Sequence, residues 1–295
     1  MNFGQVLTAM VTPFDQNGEI DFEATRTLVN YLLANGTDGL VVSGTTGESP
    51  TLTTEEKVSL FKFVVEVVAG RVPVIAGTGS NNTRASISLT KHAEEAGVDG
   101  IMLVVPYYNK PNQEGLYQHF KAIAESTKLP ILLYNIPGRS SVNMAAETVI
   151  RLSEIDNIAA VKEASGNLDA MAEIISKTPS DFALYSGDDG LALPVLAIGG
   201  NGVISVASHV IGNELQDMIN SFNSGDHQKA ASEHRRLLPI MRALFAAPNP
   251  APVKAALNMN GIFVGGLRLP LVPLTDEEQR TLQKVLPAIK VNAFN

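Results

Sequence analysis

Short apolar runs recur along the chain, each followed by small polar residues and then by a longer stretch with helical periodicity. The runs are VLTAMV (6–11), GLVVSG (39–44), PVIAGT (73–78), GIMLVV (100–105), PILLYN (130–135), IAAVKE (158–163), FALYSG (182–187) and NGVISV (201–206). Strands this uniformly apolar suit a parallel sheet covered on both faces, because neither face meets water. The stretches between them read as amphipathic helices. One of them, TTEEKVSLFKFVVEVV, opens with a capping box, Thr53 followed three residues later by Glu56.

Eight strand–helix units in roughly 220 residues predict an α/β fold of the (β/α)8 TIM-barrel type. A doubly wound open sheet is the alternative. It is disfavoured because no GxGxxG follows the first run and because the units number eight. Beyond residue 225 the rhythm changes. GDHQKAASEHRRLLPIMRALF reads as a helix, AAPNPAPVKAALNMNG as a Pro-rich loop leading into a second, and TDEEQRTLQKVLPAIK as a third. The expected organisation is a catalytic barrel over 1–225 and a small helical C-terminal domain over 226–295.

Composition narrows the class of function. The chain has 295 residues, 45% hydrophobic and 18% charged, as expected of a protein with a substantial core. With 22 Lys+Arg against 30 Asp+Glu the formal net charge is −8, and no basic run or RNP-like motif offers a nucleic-acid footprint. There are no cysteines, which removes disulfides and thiolate chemistry. The start MNFGQVLTAMVTPF lacks a basic leader, and no apolar run approaches the roughly 20 residues of a membrane helix. A cytoplasmic location is expected. His92, His119, His209, His227 and His234 show no HxxH or HExxH spacing, so they read as structural or surface residues and no metal site is expected.

In such barrels the reactive groups sit at the C-terminal ends of the strands. The second run ends in SGTTGES with Thr45 and Thr46, the fourth in PYYNKP with Tyr107 and Tyr108, and the fifth in YNIPGR with Tyr134 and Arg139. The sixth ends at Lys162, after small apolar residues. A lone strand-end lysine ordinarily snorkels to water or pairs with its neighbour, here Glu163. Among tyrosines in a dry site it would instead lose stability as an ammonium, and its free amine would attack a ketone to form a Schiff base. Tyr134 stands at the end of the neighbouring strand as a candidate proton shuttle, with Thr45 as a relay. Taken singly, Tyr134 reads as a packed aromatic and Thr45 as a turn residue; their shared rim favours chemistry. Arg139 has the fork geometry for a carboxylate, or is simply a surface arginine. SGTTGES, GTGSNN and IGGNG each offer backbone amides for an anion, without the Lys-Ser/Thr of a P-loop. A small carboxylate over SGTTGES is the preferred reading, whereas IGGNG serves tight packing at least as readily.

GTTGES, PYYNKP, YNIPGR and VKEASG, in this order and at these separations, resemble the dihydrodipicolinate synthase group of the pyruvate-dependent class I aldolase family, which also contains N-acetylneuraminate lyase. The likeness spans essentially the whole chain. It implies a lyase of lysine and diaminopimelate biosynthesis that joins pyruvate to L-aspartate 4-semialdehyde, with no cofactor beyond a covalent pyruvate imine on Lys162. It implies Tyr134 as general acid/base, with Thr45 and Tyr108 completing a hydroxyl relay, and Thr46 as holder of the pyruvate carboxylate. Gly187 and Ile204 match positions that line the pocket, and Arg139 matches the residue that receives the semialdehyde carboxylate. Because the second tyrosine comes from a neighbouring subunit in the family, a homotetramer built as a dimer of dimers is implied.

Arg139 and the second threonine of GTTGE separate this chain from N-acetylneuraminate lyases, which typically carry GSTGE and lack the arginine. A sugar-acid lyase therefore ranks second, and a non-catalytic barrel that senses a keto acid is a reading of another class. Lysine-inhibited members carry histidines and a glutamate at the inhibitor site. The matching positions here are Thr54, Lys57 and Ala85, beside Ser49, Asn81 and Tyr107. An added cation and a missing carboxylate imply weak or absent lysine feedback.

Overall fold

The computed structural model describes residues 3–287. Eight parallel strands close into one barrel in sequence order. They are β1 Val6–Ala9, β2 Gly39–Val42, β3 Val74–Gly77, β4 Gly100–Val104, β5 Ile131–Asn135, β6 Ile158–Glu163, β7 Ala183–Ser186 and β8 Gly202–Ser205. Helices α1 Phe22–Ala34, α2 Thr54–Val68, α3 Thr83–Glu95 and α4 Gln113–Ala124 follow the first four strands. A single turn, α5 Pro137–Ser140, and then α6 Ala146–Leu152 follow β5. Helices α7 Leu168–Lys177, α8 Ala192–Ala197 and α9 Ser208–Asn223 complete the barrel, and α10 His227–Ala243, α11 Ala251–Met259 and α12 Asp276–Gln283 come after it.

Strand alternation sorts the core into two shells. Leu7, Val41, Ile75, Met102, Leu132 and Ile204 point inward and fill the barrel. Leu40, Val42, Leu133, Val161 and Val203 point outward under the helices. Val161 is fully buried, and burial of such a side chain stabilises by about 1.5–3 kcal/mol. This two-sided burial is why the strands carry no polar face.

Helix starts are set by side-chain caps. The capping box forms as expected: Glu56 N donates to Thr53 Oγ1 at 3.2 Å and Thr53 N to Glu56 Oε2 at 2.8 Å. Asp21, Asn82, Asn112 and Asn167 cap α1, α3, α4 and α7 in the same manner, each accepting from the backbone N–H three residues on. Such caps satisfy amides that the helix itself leaves unpaired.

The strands are mostly shorter than the apolar runs because the last residues of several runs already turn. Ser43 takes φ 56 and ends β2, opening the SGTTGES loop. IGGNG is a packing element: a Cβ on Gly202 would lie 2.0 Å from Gln5 O, where β8 passes the start of the chain. The third C-terminal helix stops at Gln283, short of the stretch expected from the sequence. Pro287 disfavours helix at the residue before it, and residues 288–290 of that stretch lie outside the described residues. Among the described residues no helix is long and apolar enough to cross a membrane.

Candidate active site

Lys162 ends the inward-facing row of β6 and is 5% exposed. It is register-paired with Tyr134 of β5 and Tyr185 of β7, and its Nζ lies 4.3 Å from the centroid of the Tyr134 ring. The next residue, Glu163, belongs to the opposite face, accepting from Asn135 Nδ2 at 3.0 Å and Ser165 N at 2.7 Å. A Lys162–Glu163 pair is therefore ruled out by the pleat. Burial lowers the pKa of Lys162 to about 8, against the pull of the Asp189 carboxylate and with the added push of Arg139. An amine buried with no paired carboxylate is easier to deprotonate.

The surroundings of Lys162 depend on small residues. A Cβ on Gly187 would lie 3.1 Å from Lys162 Cε and 2.7 Å from Ala164 Cβ, so any larger side chain there would displace the lysine. Ile204 stands on the inner wall at 1% exposure. Asp189, unremarkable in the sequence, is buried at 2% exposure. It accepts from Ser205 Oγ and from the backbone amides of Val206 at 3.1 Å and Ala207 at 3.0 Å. Burial raises the pKa of its carboxyl, and those bonds work against the rise.

Tyr134 is 3% exposed. Burial pushes its phenol up to about 12, opposed first by a hydrogen bond with Thr45 and then by the charge of Arg139. The phenol is thus a protonated donor at neutral pH. Thr45 and Tyr134 share a cavity of about 440 Å³ at the C-terminal rim with Ser49, Lys57, Tyr107, Tyr108 and Arg139. Lys162 and Thr46 are not on its wall; each adjoins a residue that is. Burial lowers the pKa of Lys57. A second cavity of about 550 Å³ lies at the other end of the barrel, beside Pro130, Asn157 and Ile158, remote from these groups.

The remaining expected positions spread around the mouth. Tyr108 is 88% exposed with φ 72, and Tyr107 is half-exposed. Asn81 Nδ2 donates to the Tyr107 carbonyl at 3.2 Å. Thr54 and Ala85 are exposed at the first turns of α2 and α3. Arg139 is exposed on α5 yet bears electrostatically on both Lys162 and Tyr134. His119 and His209 are buried structural residues. Burial lowers both to about 4, and His209 Nε2 accepts from Val11 N at 3.2 Å.

The C-terminal segment reaches back to the threonine loop, which sequence reasoning missed. Asn249 Nδ2 donates to Thr46 Oγ1 at 2.9 Å. Two residues on from Thr46, Glu48 takes the left-handed conformation, φ 54, and is buried. Lys254 Nζ stands 2.6 Å from Glu48 Oε1 with both side chains almost fully buried, and Arg268 N donates to Glu48 Oε2 at 3.0 Å. Arg268 also bridges to Glu56 at 2.5 Å, and both cations lie over the Phe14 ring. A non-glycine residue in the left-handed region costs energy, and persists where its surroundings hold it. No short motif announces contacts between residues some 200 positions apart.

Residues 2–289 match the model of the dihydrodipicolinate synthetase family. The chain belongs to that family. It is 66% identical over 283 residues to 4-hydroxy-tetrahydrodipicolinate synthase 1 of Halalkalibacterium halodurans, covering 96% of each chain. It is 62% identical over 287 residues to the 4-hydroxy-tetrahydrodipicolinate synthase of Bacillus subtilis, covering 97% of this chain and 99% of the relative. Among solved structures, a dihydrodipicolinate synthase of Bacillus anthracis superposes with a TM-score of 0.96 at 63% identity, over 98% of this chain and 99% of the other. The lysine-bound structure from Cyanidioschyzon merolae gives 0.95 at 51% identity, over 96% and 97%.

Proposed function

We propose that the chain acts as a 4-hydroxy-tetrahydrodipicolinate synthase, in which Lys162 forms an imine with pyruvate and the derived enamine condenses with L-aspartate 4-semialdehyde. The observation that carries this reading is the dry lysine beneath a protonated tyrosine. The free Lys162 amine attacks the pyruvate carbonyl carbon, and loss of water leaves a protonated imine. That imine is an electron sink, so a methyl proton is released and the enamine carbon becomes the nucleophile. Tyr134, which shares the cavity wall with Thr45, donates and recovers protons at the carbonyl oxygen in this reading. Arg139 at the mouth suits the carboxylate of the incoming aldehyde. The reaction then needs no cofactor beyond the covalent imine.

Tyr108 is too exposed to serve the relay from within one subunit. An aromatic side chain this exposed at a cavity mouth favours burial against a second copy of the chain. We therefore read the working form as a homo-oligomer; the dimer-of-dimers arrangement is what the family resemblance implies.

Mixing the protein with pyruvate and borohydride and measuring intact mass tests the imine. A pyruvyl adduct on the wild type that is absent from Lys162→Ala supports the reading; a folded wild type without adduct refutes it. Turnover assays with L-aspartate 4-semialdehyde and with N-acetylneuraminate then decide the substrate.

A further inference from the structure

Thr46 is 3% exposed, and among the described residues its hydroxyl has one hydrogen-bond partner, the Asn249 amide. The direction of that bond matters. An amide N–H donates, so Thr46 Oγ1 accepts and its own proton has no acceptor among the described residues. A buried hydroxyl proton without an acceptor costs stability unless a ligand oxygen takes it. Asn249 is itself 5% exposed, and its Oδ1 is a buried atom without a partner among the described residues.

Resting on the pyruvate reading above and on the carboxylate role that the family resemblance implies for Thr46, we propose that Asn249 is a positioning residue: its amide orients the Thr46 hydroxyl as a donor to the carboxylate of the bound keto acid. Asn249 stands just before α11, whose Lys254 holds the same loop through Glu48. The C-terminal segment thus supports the threonine loop at two points, one by charge and one by choosing which way a hydroxyl points. Asn249 does not touch the substrate; it acts through Thr46.

Steady-state kinetics of Asn249→Ala, Thr46→Val and the double variant test this. A hydrogen bond to a charged group is at stake, so Asn249→Ala should raise KM for pyruvate about tenfold while leaving KM for the aldehyde within about twofold. The double variant should bind pyruvate no worse than Thr46→Val alone, because Asn249 has nothing left to act on. A merely structural role would shift both KM values and add to the Thr46→Val effect. That outcome, or an unchanged KM for pyruvate, overturns the proposal. Should Asn249→Ala lose its circular-dichroism spectrum, Asn249→Asp replaces it. This variant offers only acceptor oxygens, so Thr46 must donate to it, and an unchanged KM for pyruvate again overturns the proposal. Borohydride trapping on the wild type is run alongside. An adduct there with no effect at Asn249 refutes this inference alone, whereas its absence refutes the pyruvate reading.

Discussion

Lys162 Nζ lies 4.3 Å from the centre of the Tyr134 ring, across the register pair that joins β5 to β6. Burial drives their pKa values apart from the ordinary order of use: the ammonium falls to about 8 and the phenol climbs to about 12. The lysine becomes a usable nucleophile while the tyrosine keeps its proton for the carbonyl oxygen. Tyr134→Phe should keep the ring beneath which Lys162 sits but lose the proton donor. Turnover is expected to fall about 10²–10⁴-fold with KM for pyruvate little changed, and steady-state kinetics with both substrates measures it. Activity within a few-fold of wild type would remove Tyr134 from the mechanism.

The lowered pKa of Lys162 sets a pH dependence. Below about 8 the amine is protonated and inert, so the rate of borohydride trapping should rise about tenfold per pH unit in the acid range and level off above that value. The same shift acts on stability with a defined sign. Between about 8 and the ordinary lysine value the unfolded chain binds the extra proton, so stability rises with pH across that window. Lys162→Met should be more stable than wild type at pH 7, with the gap closing as pH rises toward 10.5. Urea midpoints at several pH values follow it, and a gap independent of pH would contradict the burial argument.

The C-terminal clamp predicts a stability loss. Lys254→Met leaves Glu48 buried without its cation, which should cost about 3–5 kcal/mol. Adding Glu48→Gln should restore part of that loss, since the uncompensated charge is gone. Urea unfolding at pH 7 compares the three proteins; equal stability of Lys254→Met and wild type would mean the pair holds nothing.

At the outer cavity Lys57 stands with Ser49 and Tyr107, and no carboxylate occupies position 85. An incoming L-lysine would meet a like charge, with no carboxylate at position 85 to offset that of its ammonium. Activity is therefore expected to stay within about twofold of its starting value as L-lysine is titrated to millimolar levels. The combination Lys57→His with Ala85→Glu, the residue types of lysine-inhibited members, should gain inhibition. Strong inhibition of the wild type at low concentration would refute this.

By itself the sequence determined the eight strand–helix units, because two-sided burial demands apolar runs and because a cap such as Thr53 acts within three residues. It also singled out Lys162, since an ammonium closing an apolar run is a local contradiction. What only the tertiary structure decided depends on how the elements assemble. Pairing of β5, β6 and β7 sets Lys162 against Tyr134 and brings Gly187 within a methyl group's width of the lysine stem. Packing of the C-terminal segment carries Asn249, Lys254 and Arg268 back to a loop some 200 residues earlier. Ion pairs and single hydrogen bonds between distant residues leave no periodicity in a chain, so neither the clamp on Glu48 nor the amide on Thr46 was legible before the fold assembled them.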